Sequence, residues 1–190
     1  AIIKMGMENG FLVDTTENAD YFKEKTLQQY QAVVFLNTTG DVLNDPQQSN
    51  FERYIQAGGG FVGIHSATDT EYDWKWYNQL VGGYFKSHPK IQEATLNCVN
   101  HDHPATSFLE NTWIRKDEWY NFKSLNPNVK VLLNLDETSY EGGENEGNHP
   151  IAWYHEYDGG RSFYTGMGHT HESYQEPQFL QHVLGGLQYA

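Results

Sequence analysis

Two histidine-bearing stretches and one acidic tetrapeptide hold the side chains best placed for chemistry. In Gly58 to Thr70 (GGGFVGIHSATDT) a short apolar run, Phe61 to Ile64, stops abruptly at His65 and gives way to polar residues. A helical turn starting at His65 would put His65 and Asp69 on one face, where the carboxylate could orient the imidazole or share a ligand with it. Gly166 to Glu172 (GMGHTHE) repeats the pattern: apolar strand, glycine, then His169. Between them, Asp117-Glu118-Trp119-Tyr120 lies on a strand-like run whose alternation would place Glu118 and Tyr120 on one face. A carboxylate beside a phenol suits general acid–base work and the holding of a hydroxylated substrate. His65, Glu118 and His169 are the candidate catalytic residues.

A looser ring of candidates surrounds these. His88, between Ser87 and Pro89, is a third loop histidine, and His149 enters the run HPIAW that ends in Trp153. Arg161 follows Gly159-Gly160; it either holds a carboxylate of the site or is a surface charge. Asp69, Tyr120, His88, His149, Trp153 and Arg161 are read as substrate-binding. His169, His171 and Glu172 make an H-x-H-E spacing, a weak metal signal on an extended loop. No metal and no cofactor is expected. His101-Asp102-His103 reads as a turn before Pro104.

The elements that must position these groups alternate in the first half. Ala1 to Gly10 reads as the end of a helix closed by Asn9-Gly10, and Phe11 to Val13 as a short strand. Asn18 to Tyr30 is a helical connection and Ala32 to Leu36 a buried strand. Asp45 can N-cap the next helix, with Pro46 in its first turn and Gln48 closing a capping box, and Gly58 ends it. Such alternation argues for a parallel sheet with ligands bound beyond the strand carboxyl ends. The second half reads as a helix from Trp74 to Val81, strands at Ile91–Val99, Asn111–Phe122 and Val129–Leu135, and a hairpin, Ile151–Tyr157 and Arg161–Thr165, around Asp158-Gly159-Gly160. Pro177 opens a last helix. One domain, 1–190, is expected. A chain opening on a helix also leads to the expectation that a first strand is missing.

Composition removes whole classes of function. A formal charge of −13 leaves no basic stripe to neutralise phosphates, which argues against nucleic acid and against an anionic membrane surface. No apolar run reaches the roughly 18 residues of a membrane helix. A lone cysteine, Cys98, excludes an internal disulfide and any multi-cysteine zinc site. Ten Phe, 5 Trp and 13 Tyr add core and are compatible with sugar stacking. Compartment and homo-oligomeric state stay open.

Five blocks in order, GGGFVGIHSATD (58–69), SHP (87–89), DEWY (117–120), HPIAWYHEYDGGRSFYTGMGHT (149–170) and the closing helix, resemble the trehalose-utilisation (ThuA-like) family. That resemblance implies a three-layer, flavodoxin-like sandwich of the class I glutamine amidotransferase type, with a mostly parallel sheet and an antiparallel hairpin extension. It implies carbohydrate utilisation, with a trehalose-like glucoside or keto-glucoside as small-molecule substrate. Two departures stand out. The Arg-His pair of the family's opening loop is absent, and His65 stands where the amidotransferase cysteine belongs, which removes glutaminase chemistry. His169 matches the catalytic histidine of those enzymes. The resemblance supplies no reaction; acid–base chemistry on that sugar is what His65, Glu118 and His169 themselves point to. A non-catalytic carbohydrate-binding module, with Trp74, Trp76 and Trp153 stacking on sugar faces, is the alternative.

Overall fold

The computed structural model describes residues 1–190. Helix α1 (Ile2–Asn9) ends at Gly10, whose φ of 77° is the left-handed conformation glycine adopts without strain. Phe11 to Val13 forms no strand, contrary to expectation: Leu12 is fully exposed and no neighbouring strand pairs with the segment. A short helical passage, Ala19–Tyr21 and α2 (Glu24–Leu27), leads into β1 (Ala32–Leu36). Helix α3 (Asp45–Gln56) is capped one residue earlier than expected. Asn44 accepts the Gln47 N–H and the Gln47 side chain accepts the Asn44 N–H. Gln48 is thereby free to donate to the Glu71 carboxylate instead.

Strand β2 (Gly60–Ile64) is buried throughout, as its unbroken apolar run requires in a sheet covered on both faces. After it come α4 (Lys75–Val81), β3 (Tyr84–Ser87), β4 (Gln92–Cys98), β5 (Thr112–Asp117), β6 (Asn121–Lys123), β7 (Lys130–Leu135), β8 (Pro150–Tyr157), β9 (Gly160–Thr165) and α5 (Pro177–Tyr189). The seven-stranded sheet has the order β1-β2-β9-β8-β7-β4-β5. Strands β1, β2 and β9 pair in parallel, and every later pairing is antiparallel. Strands β1, β2, β9, β7 and β5 consequently point one way, with only β8 and β4 reversed. The antiparallel part reaches well beyond the expected hairpin. Asp158 and Gly159 turn that hairpin with φ of 48° and 96°, the left-handed pair that a two-residue connection of twisted strands needs.

Helices cover both faces. On one, Phe51 of α3 and Tyr77 of α4 pack with Phe35 and Phe61, while the Trp153 indole donates to Val81 O at the end of α4. On the other, α5 lies so close that Gly186 meets the Phe163 ring and Gly185 meets the Ala105 backbone. No helix is long and apolar enough to cross a membrane.

Two features bring distant segments to the strand carboxyl ends. The ladder between β4 and β5 runs from Gln92–Asp117 to Asn97–Thr112, whereas β4 meets β7 only over Leu96 to Cys98. The free end of the β4–β5 pair therefore swings away from β7. It is the end that carries Asp117. The small β3–β6 sheet pairs Ser87 with Asn121, which sets His88 beside Tyr120.

Candidate functional site

Where β2 ends, the backbone turns at His65, a non-glycine residue at φ 50°, into a 3-10 turn over His65–Asp69. Its carbonyl accepts the Tyr164 hydroxyl at 2.7 Å, which pins this turn to β9. The imidazole is buried and held at one nitrogen by the main chain, Nδ1 lying 2.9 Å from Gly166 O. Since a carbonyl can only accept, Nδ1 carries the proton and Nε2 points into the site.

Three side chains meet at that Nε2. Glu118 Oε2 lies 3.2 Å from His65 Nε2, His169 Nδ1 lies 3.2 Å from the same nitrogen, and His169 Nδ1 to Glu118 Oε2 is 3.3 Å. The other carboxylate oxygen of Glu118 faces His88 Nδ1 at 3.2 Å. Tyr120 closes one wall, its ring centroid 4.1 Å from that of His65. The triad is a bowl with one open side: the side chains of His65 and Glu118 are 2% and 10% exposed, that of His169 41%. His65, Glu118 and His169 are also a set whose donor atoms could hold a metal ion, all lying within 4.8 Å of one another.

Burial would raise the Glu118 carboxyl, but the His65 hydrogen bond and the positive character of His169, His88 and His65 outweigh it, and the net direction is down. The direction is opposite to what burial beside Trp119 and Tyr120 alone would give. The Tyr120 phenol moves up, first through burial and then through the charges of Glu118 and Asp69.

A residue that sequence reasoning passed over holds the triad together. The buried Asp117 carboxylate accepts the backbone N–H of Glu118 at 3.0 Å and of His169 at 3.2 Å through Oδ1. Its Oδ2 accepts from Gly168 N and Ser173 Oγ and pairs with Arg115 Nη1 at 2.8 Å. The signal was Trp113-x-Arg115-x-Asp117, whose alternation turns a buried ion pair inward.

The remaining expected site residues scatter. Asp69 bonds the Tyr72 hydroxyl and has no hydrogen bond to His65. His149 is fully buried behind the site, 2.8 Å from Tyr120 O and 2.9 Å from Glu137 Oε1, where it braces the Tyr120 backbone out of a ligand's reach. Trp153 is core, with no exposed surface. Arg161 stands at the opposite end of the sheet, because β9 runs parallel to β2 and its first residues pair with Gly60; it lies over the Tyr189 ring. His171 and Glu172 are exposed and outside the triad. A separate surface hollow of about 690 Å³, lined by Tyr72, Asn78, Tyr84 and Lys123 among others, includes no triad residue.

The sequence model of the trehalose utilisation family, ThuA, matches residues 1–190. The chain belongs to the ThuA family. A ThuA-like protein from Bacteroides uniformis superimposes with a TM-score of 0.84 at 25% identity, over 99% of this chain and 80% of that one. A ThuA-like protein from Parabacteroides merdae gives 0.69 at 22% identity, over 86% and 71%. The fold also recurs in a β-galactosidase from Bacillus circulans, with a TM-score of 0.60 at 13% identity, over 87% of this chain and 23% of the larger enzyme. No curated protein matches the sequence. A ThuA-family chain has a role in trehalose utilisation at the level of the family. Its scaffold here presents no thiol to the site, since Cys98 lies in β4 with Sγ bonded to Asn100 O.

Proposed function

We propose that the chain acts on a small sugar, a trehalose-like glucoside or its keto derivative, by proton transfer at the His65–Glu118–His169 triad. The observation that carries this reading is the triad itself, with two imidazoles and a carboxylate in mutual hydrogen-bond distance at strand carboxyl ends. Glu118 stands where a sugar hydroxyl or the hydrogen beside a keto carbon would arrive, and it accepts the proton. His169, at the open side, passes that proton to and from solvent. His65, fixed by Gly166 O, keeps the carboxylate aimed. Tyr120 and His88 frame the sugar.

The binding-module alternative rested on Trp74, Trp76 and Trp153. Trp153 is sealed in the core, Trp76 donates to Asp158 at the distant hairpin turn, and Trp74 stacks on Trp76 and donates to Glu52 of α3, so none of the three offers the triad a stacking face. The enzyme reading is therefore the one retained. It is tested by offering disaccharides and their 3-keto forms to wild type and Glu118→Gln, following binding and product. Turnover falling by about 10² or more with binding kept is the expected result. Wild type that binds sugar but never converts it would return the case to the module.

A further inference from the structure

We propose that His65 Nε2, Glu118 Oε2 and His169 Nδ1 are three ligands of one divalent ion of the zinc type, with the fourth position open on the His169 side. This deepens the sugar-processing reading, since it concerns the same triad and its catalytic part rests on that reading; Glu118 would hold the ion through Oε2 and keep Oε1, beside His88, to accept the proton. The ion-binding part stands alone.

Geometry is the first argument. The three donor atoms form a nearly equilateral triangle with sides of 3.2, 3.2 and 3.3 Å. Ligands about 2.0 Å from a tetrahedral zinc ion lie about 3.3 Å from each other, so the triangle has the size of one tetrahedral face. Two imidazoles and one carboxylate with a vacant fourth corner are the donor set of catalytic rather than structural zinc.

The second argument is a hydrogen-bond conflict. With its Nδ1 proton given to Gly166 O, a neutral His65 has only a lone pair at Nε2. That lone pair faces a carboxylate oxygen and a second imidazole nitrogen. His169 Nδ1 has at most one proton to share between them, so at least one lone pair meets another. Either a second proton on His65 or a cation at the centre of the triangle resolves this, and the cation satisfies all three atoms together.

The third argument is the support behind the donors. Metal-bound imidazoles donate their other nitrogen to a carbonyl or carboxylate, as His65 does to Gly166 O. Glu118 Oε1 is oriented by His88, and the Asp117 carboxylate fixes the backbone of both Glu118 and His169. The ligand set carries one negative charge, so a divalent ion leaves a site of net +1 that attracts a sugar hydroxyl or carbonyl oxygen to its open corner.

The test uses the full chain, stripped with a chelator and titrated with zinc chloride by calorimetry, with stoichiometry read by native mass spectrometry. One ion per chain is expected. His169→Ala and Glu118→Gln should each weaken it by about 100-fold or more, beyond the 10–100-fold typical of outer-shell partners. His171→Ala should leave it unchanged. His169 is exposed, so its variant is the one expected to keep the fold, checked by circular dichroism. No stoichiometric ion in wild type, or an ion indifferent to both triad variants, overturns the proposal. An ion bound without any sugar turnover sinks the sugar-processing reading and leaves this one standing. Full turnover in metal-free protein sinks the catalytic part of this proposal and leaves the sugar-processing reading standing.

Discussion

The Asp117 carboxylate receives the backbone N–H of His169 at 3.2 Å, across 52 residues of chain, with the same oxygen that receives the N–H of its neighbour Glu118. Two members of the triad thus hang from one buried acid, and their separation is set by that acid rather than by their own rotamers. Arg115 balances its charge from beneath, sandwiched between the Trp113 and Phe179 rings and shared with Glu176.

Asp117→Ala should therefore be severe. It strips Arg115 of its buried partner and leaves the N–H groups of Glu118, Gly168 and His169 without their acceptor. Breaking a buried pair by removing one member costs about 3–5 kcal/mol, and the surviving Glu176 contact places this case near the lower figure. Urea unfolding of the variant against wild type measures it. A loss below about 1 kcal/mol would show that the carboxylate is not what anchors the two segments.

At His65 the left-handed backbone can be separated from the side chain. An L-residue costs roughly 1–2 kcal/mol there and glycine does not. His65→Gly and His65→Ala both remove the imidazole, so the difference between them reports the backbone. The glycine variant is expected to melt higher. An alanine variant as stable as the glycine one would mean that the turn relaxes without cost.

Acid sensitivity should come from His103 and His182, neither of which belongs to the triad. His103 Nδ1 accepts the Ala105 N–H at 3.1 Å, which only the neutral ring can do, and His182 Nδ1–H donates to Ala105 O at 2.8 Å. Burial lowers His103 to about 4 and, with Arg115 and His103 nearby, His182 to about 3. Both folded values lie below the unfolded one of about 6.5. Their contribution is thus complete above pH 6.5 and is lost as pH falls through the folded values. At about 1.4 kcal/mol per unit, His182 alone supplies a few kcal/mol. Melting temperature should hold above pH 7 and start to fall below 6.5, before most carboxylates titrate. His182→Phe should flatten that first decline; an unchanged profile would locate the sensitivity elsewhere.

The strand ends were legible because each is a change of chemistry along the chain. Apolar runs stopping at His65 and His169 can be read without a partner, and both residues sit where such runs predict. Strand direction was not legible. The β8–β9 hairpin is obvious from Asp158-Gly159, yet which end of it faces the site depends on β9 joining β2 in parallel, and that separates Arg161 from His149. Glu118 and Tyr120 were read as alternating on one strand; the strand ends at Asp117 and resumes at Asn121 in another sheet, and the bend between them still delivers both to the site. Phe11 to Val13 has the composition of a strand, but a strand also needs a neighbour, and no local pattern supplies one.

His65 lies 53 residues from Glu118 and 104 from His169 along the chain. Contacts of such separation close large loops, and their entropy must be met before any of them is rewarded. No fragment of the sheet holds the triad, because β2, β5 and β9 must all have docked first. A ligand of these three side chains is consequently a ligand of the native state alone. Its binding adds RT ln(1 + [L]/Kd) to the stability of the whole molecule. Amides throughout the sheet, and not only those beside the triad, should then exchange more slowly when it is bound.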